Sequence, residues 1–187
     1  MEAGGLTAAL VGAGVTRDAS IVLADELRVG LRGQVRRVLG RRGVRVVQRL
    51  QLRYQWAYLL LAVEPRAGTL QWRWLTRCRA APIKEALAVW QPAAVVWDSH
   101  GAHTAKVLAD LPIERVRLPP YSPELNPAER VFQEVRRRIE GEGYTSLADK
   151  QAAAEAYLGE LAADPARIRR LCGWPWLTAA LDALPAA

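Results

Sequence analysis

Ala93-Ala94-Val95-Val96-Trp97-Asp98 is a wholly apolar run that follows a proline and ends on an acid. Its length and β-branched content predict a strand over 93–97, and Asp98 stands at the carboxyl end, where open α/β sheets collect their ligands. Immediately upstream, residues 82–90 predict a helix entered through Pro82, with Ile83, Ala86, Leu87 and Trp90 at helical spacing. Downstream, the pattern predicts a helix over 103–111 and a short strand over 114–118, stopped by Pro119-Pro120. Further out, Ile21-Val22-Leu23-Ala24 opens a first strand running to 31. A β-prone stretch over 44–63, interrupted by polar residues at 53–55, closes on the turn Pro65-Arg66-Ala67-Gly68, and residues 69–75 alternate as a third strand. On the other side, Asn126-Pro127 opens a helix to 140, with Val131, Phe132, Val135 and Ile139 on its inner side, before Gly141 and Gly143 stop it. Residues 146–163 predict a further amphipathic helix, with Ser146 and Asp149 close to a capping box. From Pro165 the chain reads as helical and then as loosely patterned around Trp174-Pro175-Trp176. The order βββαβαβα describes an α/β fold: a mixed five-stranded sheet flanked by helices, with a C-terminal helical tail.

Composition excludes several classes. The 187 residues are 51% hydrophobic, enough for a sizeable core without disulfides. Two well-separated cysteines, Cys78 and Cys172, make neither a secreted framework nor a zinc cluster and suit a reducing, cytoplasmic setting. The longest apolar runs, such as 56–63, fall well short of the roughly 20 residues that span a bilayer, and Glu2 stands where a signal peptide would carry positive charge. No membrane role is expected. The net charge is +7, from 26 basic against 19 acidic residues, and among the basic ones only Lys84, Lys106 and Lys150 are lysines. Between residues 27 and 63 no acid occurs, while arginines crowd the same stretch, Arg32, Arg36, Arg37, Arg41, Arg42 and Arg45 among them. Such a tract is either the footprint of a nucleic-acid backbone or a solvated strand face, and charge alone does not separate the two.

Three acids lie where this architecture can bring them together. Asp25 is in the first strand, Asp98 ends the fourth, and Glu129 opens the helix after the fifth. Because successive strand side chains point to opposite faces, only one of Asp25 and Glu26 can join such a cluster, and Asp25 is the choice. Singly, each has a structural explanation, Glu129 above all, since it would complete an Asn-x-x-Glu capping box with Asn126. Their order and placement together favour chemistry. Three converging carboxylates repel one another and call for divalent cations, and two ions roughly 3.5 to 4 Å apart serve in-line attack at phosphorus. Magnesium suits, with manganese as the alternative. His100 and His103 follow Asp98 closely, but with no cysteine nearby they read as core or phosphate-contacting histidines rather than a zinc site. Trp56, Trp72, Trp74, Trp90 and Trp97 fall in strand or helix patterns and are expected in the core.

Two motifs carry a resemblance. Asp98-Ser99-His100-Gly101-Ala102-His103, followed by Leu118-Pro119-Pro120-Tyr121-Ser122-Pro123-Glu124-Leu125-Asn126-Pro127-Ala128-Glu129, resembles the DDE transposases of the insertion-sequence 630 and mariner-like superfamily, over residues 20–141. The resemblance implies a ribonuclease H-like catalytic domain that cleaves DNA at transposon ends and transfers the 3′-hydroxyl into target DNA. Asp25, Asp98 and Glu129 match its metal-binding triad, holding two ions; His103, Tyr121 and Asn126 match supporting positions. With the arginine tract, Arg130 and Arg137 on the helix after Asn126 complete the expected DNA contacts. A homodimer is implied by the need to join two ends. Ser99 departs from the family's usual asparagine, and the stretch 1–19 is too short for its helix-turn-helix region, so a separate helix-turn-helix chain is an expected partner. The resulting division is a flanking segment over 1–19, a catalytic domain over 20–141 and a helical extension over 142–187. Other readings remain: a transposase-derived DNA-binding protein without activity, or a ribonuclease H-like nuclease without strand transfer.

Overall fold

A computed structural model describes residues 3–32, 39–47, 53–104 and 106–187. Strands β1 (Ile21–Gly30), β2 (Trp56–Glu64), β3 (Thr69–Leu75), β4 (Ala94–Trp97) and β5 (Glu114–Arg117) form one mixed sheet in the order β3-β2-β1-β4-β5. β1 runs antiparallel to β2 and β2 to β3, whereas β4 lies parallel to both β1 and β5. The β2–β3 turn needs Gly68: its φ is 72°, and a Cβ there would lie 2.3 Å from the Pro165 carbonyl oxygen.

Helices cover both faces. On one lies α2 (Ala80–Trp90), whose Ile83, Ala86 and Leu87 pack on Val22, Ala24, Leu60, Val95 and Trp97. The other face carries the larger core, made by β1 residues Ile21, Leu23 and Leu27, by α3 (Ala128–Ile139), and by α4 (Leu147–Ala162), α5 (Pro165–Cys172) and α6 (Pro175–Asp182). The α4 start is a complete capping box: the Ser146 hydroxyl accepts from the Asp149 N–H and the Asp149 carboxylate from the Ser146 N–H. No helix among the described residues is long and apolar enough to cross a membrane.

Three expectations are corrected. Of the β-prone stretch over 44–63, residues 44–47 and 53–55 are irregular and the strand begins at Trp56, opposite Gly30 at the end of β1, with one further bond from the Leu31 N–H to the Gln55 carbonyl. Val44 and Val47 are exposed and irregular instead, since β propensity has no effect without a ladder to join. The helix expected over 103–111 shrinks to one 3₁₀ turn, Lys106–Leu108. A tight turn, with the His103 N–H on the His100 carbonyl, fixes the segment's start, and Pro112 follows too soon for a helix to nucleate. The N-terminal segment, for which the sequence carries no secondary-structure expectation, folds as α1 (Ala3–Gly12), with Leu6 and Leu10 fully buried and Thr7 Oγ1 donating to the Ala180 carbonyl of α6. The loosely patterned tail is helical because it packs on that partner. Of the tryptophans, Trp97 is buried while Trp56, Trp72, Trp74 and Trp90 are half-buried.

Candidate active site

The parallel pairing of β1 with β4 sets Asp25 and Asp98 on neighbouring strands at one rim of the sheet. Side-chain alternation on β1 turns Asp25 toward the face covered by α3 and Glu26 toward the face covered by α2. Glu129 lies in the first turn of α3. All three acids line a single cavity of about 600 Å³, together with Pro119, Pro120, Tyr121 and Asn126.

Asn126 is the hinge of this arrangement. Its side chain is 2% exposed; Nδ2 donates to the Ala24 carbonyl at 3.0 Å, and Oδ1 accepts from the Ala128 N–H at 3.1 Å. One amide thus ties the strand residue before Asp25 to the helix that carries Glu129. The Asn126 N–H, which a capping box would give to Glu129, goes to the Pro123 carbonyl. The competing structural explanation of Glu129 therefore falls. Its carboxylate meets Arg136 at 3.5 Å, two turns along the same helix.

Behind Asp98 sits a second layer. His103 is 3% exposed, its ring stacked on Trp97 with centroids 4.2 Å apart. Nδ1 lies 2.7 Å from an Asp98 carboxylate oxygen, and Nε2 lies 3.0 Å from Glu26. Burial, the largest influence, lowers the pKa of the ring, yet the hydrogen bond and charge of Glu26, joined by Asp98, together raise it above its usual 6.5. His103 is a clamp between two carboxylates.

Asp25 is strongly perturbed. Its pKa rises to about 7, first through burial; the Glu26 N–H, 2.8 Å from Oδ1, pulls it down, and repulsion from Glu26, Glu129 and Asp98 pushes it further up. Among the described residues, no three His, Cys, Asp or Glu side chains stand close enough together to hold one ion. The donor set still fits a hard divalent cation, because magnesium takes only one or two carboxylates per ion and fills its shell with water and phosphate oxygens. The three acids line one cavity, and a cation there would relieve the burial and the repulsion that raise the Asp25 pKa.

Tyr121, on the cavity wall, is fully exposed and has φ 56°, a left-handed conformation unusual for a residue with a side chain. Arg130 and Arg136 line a second cavity of about 560 Å³ that shares Glu129 with the first and reaches Trp174. Arg137 pairs with Glu134. Arg32 stands over Tyr54 with its guanidinium 5.3 Å from the ring centroid, while Arg41, Arg42 and Arg45 are exposed; Arg36 and Arg37 lie outside the described residues. Sequence reasoning passed over Glu26 and Arg136. The signal for Arg136 was its seven-residue spacing from Glu129, two turns on one helix face.

The family model for DDE superfamily endonucleases matches residues 20–150, the span that holds all three acids. The chain belongs to that family. No curated protein matches the sequence. Among solved structures, this DDE-family chain is similar to a Mos1 transposase paired-end complex with the left transposon end, at 17% identity and TM-score 0.66, covering 96% of this chain and 58% of that one. A mariner Mos1 paired-end complex with Mg is similar at 16% identity and TM-score 0.68, with 96% and 59% covered. A simian T-cell lymphotropic virus intasome matches at 14% identity and TM-score 0.52, over 75% and 47%. The DDE-family fold here is thus the ribonuclease H-like one of transposase and integrase cores, and the chain spans less than two thirds of the length of these structural relatives.

Proposed function

We propose that this chain is the catalytic domain of a DNA transposase, which hydrolyses phosphodiester bonds at transposon ends and transfers the freed 3′-hydroxyl into target DNA. The observation that carries this is the convergence of Asp25, Asp98 and Glu129 on one cavity within a DDE-family fold. Asp25, Asp98 and Glu129 would hold the divalent ions, Asp25 being the one that feels the charge of both others. When bound, a pair of magnesium or manganese ions supplies Lewis-acid activation of the attacking and leaving oxygens. The chain's own part is placement. Asn126 fixes the β1–α3 distance, His103 holds the Asp98 carboxylate in orientation, and Arg136 keeps Glu129 at the cavity wall. The arginines on α3 and in the 31–55 connection supply phosphate contacts. DNA at two ends implies a homodimer, and a separate helix-turn-helix chain would supply recognition of the ends.

The test is magnesium-dependent cleavage of DNA carrying the element's ends. Wild type should cleave and Asp98→Ala should not, with both proteins melting alike. Equal cleavage by the two would reject the catalytic reading, and cleavage without joining to target DNA would make the protein a nuclease of the same fold.

A further inference from the structure

The α2 face of the sheet holds a third, separate cavity, of about 270 Å³, against the outer strand β5. Its walls include Lys106, Arg115 and Arg117, and among the described residues no aspartate or glutamate lines it. Arg115 and Arg117 are two residues apart on β5 and so share a face, the one carrying Val95 and Trp97, their parallel partners on β4. Glu114 alternates away. All three cations are exposed, and none of them has an ion-pair partner among the described residues. Asp110, the acid nearest Lys106 along the chain, is paired with Lys84 at 2.6 Å. Unpaired guanidinium groups gathered in a concavity are suited to bidentate capture of phosphate oxygens.

Position decides whose phosphate. His103 forms part of this cavity's wall, and its Nδ1 is bonded to Asp98, which lines the acidic cavity. The two cavities are thus back to back across the His103–Asp98 pair, at the carboxyl ends of β4 and β5. A polyanionic strand that continues past the acids along this rim would meet the cations with its next phosphates. We propose that Lys106, Arg115 and Arg117 form a phosphate-binding subsite for the backbone of the DNA strand flanking the reacting bond. The subsite rests on the reading of the chain as acting on DNA, and it assigns a role to residues outside both the acid cluster and the arginine-rich 31–55 connection.

Binding of a fluorescent duplex oligonucleotide, measured in EDTA as a function of salt, tests this without any cleavage. Each phosphate contact contributes about 0.9 to the slope of log K against log salt. The Arg115→Gln/Arg117→Gln double variant should flatten that slope by about one to two and weaken binding uniformly across sequences. Arg115→Lys/Arg117→Lys should restore most of the slope. Arg170→Gln, an exposed charge on α5 outside the cavity, should leave it unchanged, while Arg117→Gln alone should lower it. If the wild type binds DNA and the double variant keeps the wild-type slope, the subsite is wrong while the DNA reading stands. Equal losses for Arg170→Gln and Arg117→Gln would overturn it too, reducing the effect to overall charge. A wild type that binds no DNA would reject both.

Discussion

Asp25, with a folded-state pKa of about 7 against an ordinary 3.8, keeps a proton through a range in which the unfolded chain has lost it. Between those values the native state binds more protons, so stability falls as pH rises from about 4 to about 7. In EDTA, Asp25→Asn should therefore melt above wild type at pH 8, by up to about 4 kcal/mol of stability, and the gap should close towards pH 4. A gap that is constant from pH 4 to pH 8 would show that the site imposes no such penalty. His103 acts in the same direction: its raised pKa stabilises the fold at low pH, and that contribution is lost as pH rises through the folded value. That Asp25 and Glu26 face opposite sides of the sheet was legible in the sequence, because a strand's two-residue period admits no compromise. The bond from Asn126 to the Ala24 carbonyl was not, since it joins residues 102 apart in sequence and depends on where β1 and α3 come to rest. The same holds for Glu26, discarded from the acid cluster yet holding the histidine that holds Asp98.

Elements meet at Lys150. Its ammonium, 4% exposed, donates to the Gly30 carbonyl at the end of β1 and to Glu140 at the end of α3, so the first turn of α4 locks onto both. Removing one partner from a buried pair leaves the other charge stranded, at a cost of about 3 to 5 kcal/mol. Lys150→Met should lower the melting temperature by about 6 to 20 °C in a chain of this length, and adding Glu140→Leu should recover much of the loss. A single variant that melts like wild type would show the pair to be ornamental. The α4 helix itself was readable, because Ser146 and Asp149 at capping-box spacing are a local signal that the structure keeps. Local signals failed where the deciding partner was distant or missing. Val44, Val46 and Val47 have β propensity with no strand opposite among the described residues, and the 103–111 segment has helical spacing but holds His103 on Trp97, Glu26 and Asp98.

At the scale of the molecule, the sequence suggests three pieces, with boundaries after 19 and 141, whereas burial argues for one cooperative unit. The family match ends at 150, inside the first turn of α4, yet the larger core runs on without a break from Leu6 and Leu10 of α1 through the sheet to Leu177, Leu181 and Leu184 in the tail. Arg17 adds a bond from its side chain to the Leu184 carbonyl, and its N–H is the partner of nothing local but of the Pro185 carbonyl. Neither end of the chain can bury its apolar face alone, since α1 and α6 cover each other. Leu10→Ala, at the far end from the acids, should then cost about 2 to 5 kcal/mol and move the whole transition, with calorimetric and van't Hoff enthalpies still equal. A low-temperature transition that splits off, leaving the melting of the sheet in place, would show the terminal helices to be an appendage. The reason to expect a single transition is physical: α3 carries Glu129 on the cavity side while Val131, Phe132 and Val135 sit in the core that α4 and α5 close. A loosened tail would leave α3 supported on one side only, and with it the third acid of the cluster. On this account, the metal-free affinity of the Leu10→Ala protein for DNA should be unchanged below its melting range and lost with the fold as a whole.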